Sequence, residues 1–290
     1  MHNTFPSLRT AAATFFALTD TGRNGWWRYI LGVIFVLVFW LLGGTFVYVM
    51  AQRLPLDDVR KFLAINASFM MLLLGVLIVQ VLLHRRPWRT LFTTRQTISL
   101  QRIFQGAAVC VVLMLIGVGL ECAIYPGGYV WNFEAERWIK FFVLALLLTP
   151  LQCAAEELFF RGYLLQAMGR IFRSPVISAT LSSILFTLPH LGNPEVAAHG
   201  FLMMVPIYFT MGLFLALVAL RDGGLELSIG AHAANNFFSF VIFGYKDSPL
   251  PTAAMFMAED FDPVFSLVST SGAALIFYAL FFYRAQRHPK

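Results

Sequence analysis

Charge is scarce in this chain. Only 12% of its 290 residues are Asp, Glu, Lys or Arg, against 59% apolar, and the mean hydropathy is +0.72. That balance excludes a soluble globule, whose surface needs about twice as much charge. Cysteine is nearly absent too. Cys110, Cys122 and Cys153 are odd in number and all fall within apolar stretches, which excludes a disulfide framework and any CxxC or CxxxC metal knuckle. GxxxxGK and GxGxxG are missing, as is HExxH, so no nucleotide-binding loop and no familiar zinc-protease helix is present. No internal repeat of the kind found in secondary transporters is evident.

Long apolar runs remain. Eight approach the roughly 20 residues that cross about 30 Å of hydrocarbon: 29–50, 63–83, 104–124, 138–159, 175–190, 201–220, 226–243 and 263–283. An open sheet could not satisfy its backbone in lipid, so the fold class is all-α, a polytopic membrane bundle of about eight transmembrane helices. Residues 1–28 lack a small-residue cleavage site leading out of a proper apolar core. They read either as a segment at the membrane surface, with Trp26, Trp27 and Tyr29 as an aromatic belt, or as a disordered tail.

With the N-terminus on the cytoplasmic side, all but six of the 21 Lys and Arg residues lie inside, the exceptions being Arg53, Arg60, Lys61, Arg137, Lys140 and Lys246. The positive-inside rule therefore places both termini in the cytoplasm. The formal charge of +6 belongs to loops beside the lipid headgroups, and no nucleic-acid partner is implied.

Three polar sets break the apolar pattern, all in the second half. In Glu156-Glu157-Leu158-Phe159-Phe160-Arg161, the i, i+4 spacing pairs Glu157 with Arg161 in the favourable order and leaves Glu156 about 100° away, free to face a cavity. The turn after the fourth span centres near Arg173, with Glu156 and His190 each seventeen residues from it. Positions equidistant from the turn of an antiparallel hairpin lie level, so these two can meet at one depth. Pro189 biases Leu188 away from helix and predicts a break at His190. In the seventh span His232 and Asn236 share a face, Asn235 is expected to point elsewhere, and Gly230, Ala231, Ala233 and Ala234 allow a neighbouring helix to approach closely. His84 reads as an interfacial residue, His199 as a solvated one, and Cys153 as inert packing.

The pattern EExxxR (Glu156, Glu157, Arg161), FxxxH (Phe186, His190) and HxxxN (His232, Asn236), across residues 154 to 236 of an eight-span chain, resembles the CPBP family of intramembrane proteases. That family contains the type II CAAX prenyl proteases and bacterial members linked with bacteriocin processing and self-immunity. The resemblance implies that Glu156 and His190 activate a water, that His232 and Asn236 support the oxyanion or the site geometry, and that Glu157, Arg161 and Phe186 lend structural support. It also implies an integral protein of a bacterial inner membrane, acting on a membrane-associated protein or peptide. Residues 136–245 would then form the catalytic core, after three spans in 29–135 and before an outer loop, last span and tail in 246–290. Glu156, His190 and His232 also make three plausible zinc ligands with a fourth position for water, so metal-assisted and metal-free water activation both stay open. Two rivals stay open as well: a proton-coupled secondary transporter using the same ionisable residues, and a non-catalytic immunity or partner protein. Oligomeric state is not written in the sequence.

Overall fold

The computed structural model describes residues 7–56, 59–250 and 253–283. The tail cations Arg284, Arg287 and Lys290, counted above toward orientation, lie outside the described residues. All eight apolar runs are helical: α2 (Trp26–Ala51), α3 (Arg60–Ile78), α4 (Leu100–Ile124), α5 (Ala135–Glu157), α7 (Pro175–His190), α9 (Phe201–Asp222), α10 (Glu226–Val241) and α11 (Pro263–Phe282). The fourth run continues past α5 through a π-helical stretch, Leu158–Leu164, into α6 (Leu165–Phe172). A shorter π-helical turn, Val79–Leu83, ends α3.

Six of these helices are long and apolar enough to cross a membrane. The protein is thus a polytopic, integral membrane helical bundle. The exceptions are α7 and α10, each 16 residues long, or roughly 24 Å at 1.5 Å per residue. For α10, burial explains the shortness. Most of α10 is enclosed by α4, α5 and α9, so its ends meet protein rather than a headgroup layer. The outer helices do the reverse: α4 buries only Gly106 and turns Phe104, Val112, Ile116 and Leu120 outward, which suits hydrocarbon.

Helices α2 and α3 form an antiparallel pair that leans on α5, while α7 packs on α9, and α9 on α11. The closest crossing is between α4 and α10. A Cβ on Gly230 would collide with the Ile103 carbonyl, and one on Gly106 with that of Leu227, so two opposed glycines let the backbones touch. The small residues of α10 do what their sequence suggests, and they fix the helix that carries His232.

The polar ends hold two departures from the sequence reading. First, the segment before α2 is a helix, α1 (Leu8–Ala17), whose Phe15 and Phe16 bury against the bundle at α6 and α9. Second, His84 is not interfacial. It is fully buried, its Nε2 2.8 Å from the Tyr163 hydroxyl and its Nδ1 3.0 Å from the Arg23 carbonyl. Apolar surroundings push its pKa down to about 4, so it is a neutral imidazole linking the N-terminal segment to the π-helical stretch. Hydropathy could not reveal this, because the partners are 61 and 79 residues away in sequence.

On the opposite side a three-stranded sheet, order β1 (Tyr129–Trp131), β3 (Phe256–Ala258), β2 (Phe243–Tyr245), closes one end of the bundle; β1–β3 is antiparallel and β2–β3 parallel. A short helix, α8 (Pro194–His199), joins α7 to α9 near that end. His199 is not solvated there: its ring lies 5.0 Å from Phe261 and its Nε2 3.6 Å from Asp247 Oδ2.

Sidedness is open to a direct test. In a chain whose native cysteines are replaced by serine, single cysteines at exposed positions 85 and 173 should react with an impermeant maleimide from one face of the membrane, and those at 127 and 246 from the other. Labelling of 85 and 246 from the same face would rule out this arrangement.

Candidate active site

The left-handed turn at Arg173 (φ 51°) folds α7 back against the helix from which it came. As the hairpin argument requires, Glu156 near the end of α5 and His190 at the end of α7 then line one cavity. Helix α7 runs through Pro189 and closes at His190, so the break falls after the histidine instead of before it; Leu191 N–H donates back to Leu188 O as the chain leaves. Helix α10 adds His232, and α9 adds Tyr208. The enclosed space is about 360 Å³, large enough for several side chains of an extended peptide.

The two glutamates have different surroundings. Glu157 is fully buried, and its Oε1 accepts from Arg161 Nη1 at 2.8 Å and from His232 Nδ1 at 2.9 Å. Arg161 also donates to the Gly212 carbonyl at 3.1 Å and stands 4.2 Å over the Phe186 ring. The π-helical stretch, a widened turn, is what carries Arg161 into this pocket of partners. Phe186 in turn sits between groups, with its ring 4.6 Å from His190 and 6.0 Å from His232. Glu157, Arg161 and Phe186 are therefore a buttress beneath the cavity.

Glu157 Oε2 and Arg161 Nε are also without a partner, but neither residue lines the cavity; Glu156 does, and a single donor holds it there. Gln152 Nε2 donates to its Oε1 at 2.8 Å, while its Oε2 is buried with no hydrogen-bond partner. An unpaired buried carboxylate oxygen is expensive unless something else, such as substrate or water, completes it. His232 Nε2 lies 3.8 Å from that oxygen. Because His232 Nδ1 faces a carboxylate, it carries a proton there, and Glu157 so fixes the ring's orientation. His190 Nδ1 faces the Phe186 carbonyl at 2.7 Å, which makes it a donor and leaves Nε2 as the acceptor of the neutral ring.

Asn236 shares the cavity with His232 as expected, whereas Asn235 departs from expectation. Both line the cavity, and Asn235 Nδ2 donates to Asn236 Oδ1 at 3.1 Å. Position 235 is i+3 from His232 and 236 is i+4, and both spacings lie on one helix face. Asn236 Nδ2 rests on Cys153 Sγ at 3.5 Å, a weak acceptor that gives it up cheaply to an oxyanion. Cys153 itself is buried packing.

The zinc set does not assemble. Among the described residues no group of three His, Cys, Asp or Glu side chains is gathered as metal ligands require. The ring nitrogen held by the protein is Nδ1 in both histidines, by Glu157 for His232 and by a backbone carbonyl for His190, which leaves each Nε2 open to the cavity. Among the lining residues that the sequence reading did not single out are Gln152, Glu195 and Tyr208. Gln152 was visible in principle as the i−4 neighbour of Glu156. Glu195 and Tyr208 approach only through the tertiary fold.

The two glutamates should separate in stability. Glu157→Ala strands Arg161 in the interior and is expected to cost about 3–5 kcal/mol, seen as a large fall in the thermal midpoint of detergent-purified protein. Glu156→Gln, which keeps the shape and the Gln152 contact, should leave that midpoint nearly unchanged. Equal midpoints for the two variants would dissolve the distinction.

Comparison with known proteins converges on the same region. The chain is 30% identical over 243 residues to the uncharacterized protein YyaK of Bacillus subtilis (strain 168), covering 78% of this chain and 81% of that one. Residues 137–238 match the family described as type II CAAX prenyl endopeptidase Rce1-like, an interval that takes in all three polar motifs and the helices α5 to α10 that carry them. The chain belongs to that family of CPBP intramembrane proteases.

Proposed function

We propose that this protein is an intramembrane endopeptidase that hydrolyses a peptide bond in a membrane-associated protein or peptide, with Glu156 and His190 activating the attacking water. The observation that carries this reading is the unpartnered, buried Oε2 of Glu156 in a cavity it shares with His190. A water accepted there donates one proton to Glu156 Oε2 and the other to His190 Nε2 as a hydrogen bond. As its oxygen attacks the carbonyl carbon, Glu156 takes the first proton and later returns it to the departing amine. Negative charge then gathers on the former carbonyl oxygen, where Asn236 Nδ2, released from Cys153, and Nε2 of a doubly protonated His232 between Glu157 and Glu156 act as donors from α10. Glu157 and Arg161 act at one remove by holding His232 in place.

Nothing in this sequence of steps is routed through a metal. Among the described residues no three His, Cys, Asp or Glu side chains are gathered as ligands, which supports direct activation of water. The positive-inside count supports cytoplasmic termini in a bacterial inner membrane.

Two measurements decide the reading. Purified protein should cleave a tagged membrane peptide, and Glu156→Gln should lower turnover by at least about a hundredfold, as loss of a general base does. Proteomics of a Glu156→Gln strain should show precursors accumulating that name the substrate. Undiminished cleavage by Glu156→Gln would end the mechanism. Activity should also survive exhaustive chelation and follow a bell-shaped pH profile set by a carboxylate and an imidazole. Chelator-reversible inactivation with about one zinc per chain would replace direct water activation by a metal-assisted one.

A further inference from the structure

A second buried carboxylate stands in the same cavity as Glu156. Glu195, the second residue of α8, is 1% exposed. Its Oε1 is held by the Tyr208 hydroxyl and by Asn193 Nδ2 at 3.4 Å, and Asn193 Nδ2 also donates to Tyr208 at 2.9 Å. Burial, and then the Glu195 charge, push the Tyr245 hydroxyl above its ordinary pKa, so Tyr245 stays protonated beside Glu195 as well. Yet Glu195 Oε2 is buried with no hydrogen-bond partner. Burial drives its carboxyl above the usual carboxylate range, and the surrounding donors only partly offset that. A fixed, clamped carboxylate with one open oxygen is a recognition element lacking its complement.

The charge of the lining says what that complement is. Among the described residues no Lys or Arg lines the cavity, whereas two carboxylates with unpartnered oxygens do. Arg161, the nearest buried cation in the site, is committed to Glu157, the Gly212 carbonyl and the Phe186 face. Lys246, on the loop after β2, is exposed and is not part of the lining. His232 lines the cavity too, but its Nδ1 is held by Glu157 and its Nε2 faces Glu156, not Glu195. Among the described residues no trio of ligands invites a metal ion there. A positive charge carried in on the peptide would complete Glu195.

We propose that Glu195, positioned by Tyr208 and Asn193, is a specificity-determining residue that binds a cationic nitrogen of the substrate, an ammonium or guanidinium, so that this cavity selects basic peptides over otherwise identical neutral ones. The proposal rests on the cavity being the peptidase's substrate site, as argued above, and extends it to substrate class. Tyr208 packs its ring 4.7 Å from that of His190, so the contact that reads the cation is one residue away from the imidazole that faces the water.

Binding tests this without requiring cleavage. Dansyl-labelled apolar peptides, titrated onto the detergent-purified Glu156→Gln chain, would carry one internal Lys with both ends blocked, a Gln in place of that Lys, the Gln form with a free amino terminus, or the Gln form with a free terminal carboxylate. At least one cationic peptide should bind about tenfold or more tighter than the blocked Gln peptide, and the carboxylate peptide should bind weakest. Which cationic peptide wins tells side chain from amino terminus. Adding Glu195→Gln should bring the ratio to about one, and Glu195→Asp should retain a preference. Equal binding of all four peptides, tightest binding of the carboxylate peptide, no binding at all, or a ratio unmoved by Glu195→Gln would each overturn the proposal. The peptide series alone is decisive if a Glu195 variant does not fold. A cation preference in a chain that, with Glu156 intact, cleaves none of these peptides would remove the peptidase reading and leave the Glu195 site standing.

Discussion

Glu157 Oε1 accepts from Arg161 at 2.8 Å and from His232 at 2.9 Å in a part of the bundle that water does not reach. A guanidinium in such a place needs its carboxylate, because an unpaired charge in low dielectric is far costlier than the pair. Meeting that requirement ties three elements together: the end of α5, the π-helical stretch after it, and α10. Once they are tied, Glu156 has no freedom to choose its direction. It must point into the space that α7, α9 and α10 enclose, with only Gln152 to steady it. The reactive carboxylate, with one donor, is thus positioned by a neighbouring set in which Glu157 Oε1 has two.

Much of this was legible in the chain. Helices and their number follow from the length of apolar runs, because lipid permits little else. The Glu157–Arg161 pair follows from i, i+4 spacing, and the meeting of Glu156 with His190 follows from equal distances to one turn. What remained hidden was long-range. Spacing along α10 cannot say that Glu157, on another helix, holds His232 Nδ1 and so sets the direction of the ring. The same blindness made His84 look interfacial and His199 solvated, since their partners are far away in sequence. The length of α10 was legible, but the reason it can be short was not: enclosure by other helices removes the need to match the bilayer.

The polar residues sort by how completely the protein answers them. Arg161 and His232 are answered from within, and Glu156 and Glu195 each keep one buried oxygen open. Those two open acceptors share a cavity whose remaining lining is largely apolar and aromatic. Such a lining excludes bulk water, and electrostatic contacts made inside it are correspondingly stronger.

The π-helical stretch Leu158–Leu164 has a further meaning for the chain as a whole. A widened turn holds one residue more than a regular one, so it shifts the angular phase of everything downstream by about 100°. Upstream of it, the helix aims Glu156 and Glu157 at α7 and α10; near its end and beyond it, Tyr163 and Gln166 aim at His84 and Arg86, which follow α3. One uninterrupted rod of 38 residues thereby serves two clienteles that a uniform α-helix could not face at once. Insertions and deletions here are therefore not interchangeable with substitutions: loss of a single residue would turn one half of the rod against the other, and the reacting carboxylate would lose its bearing although no residue of the site had changed.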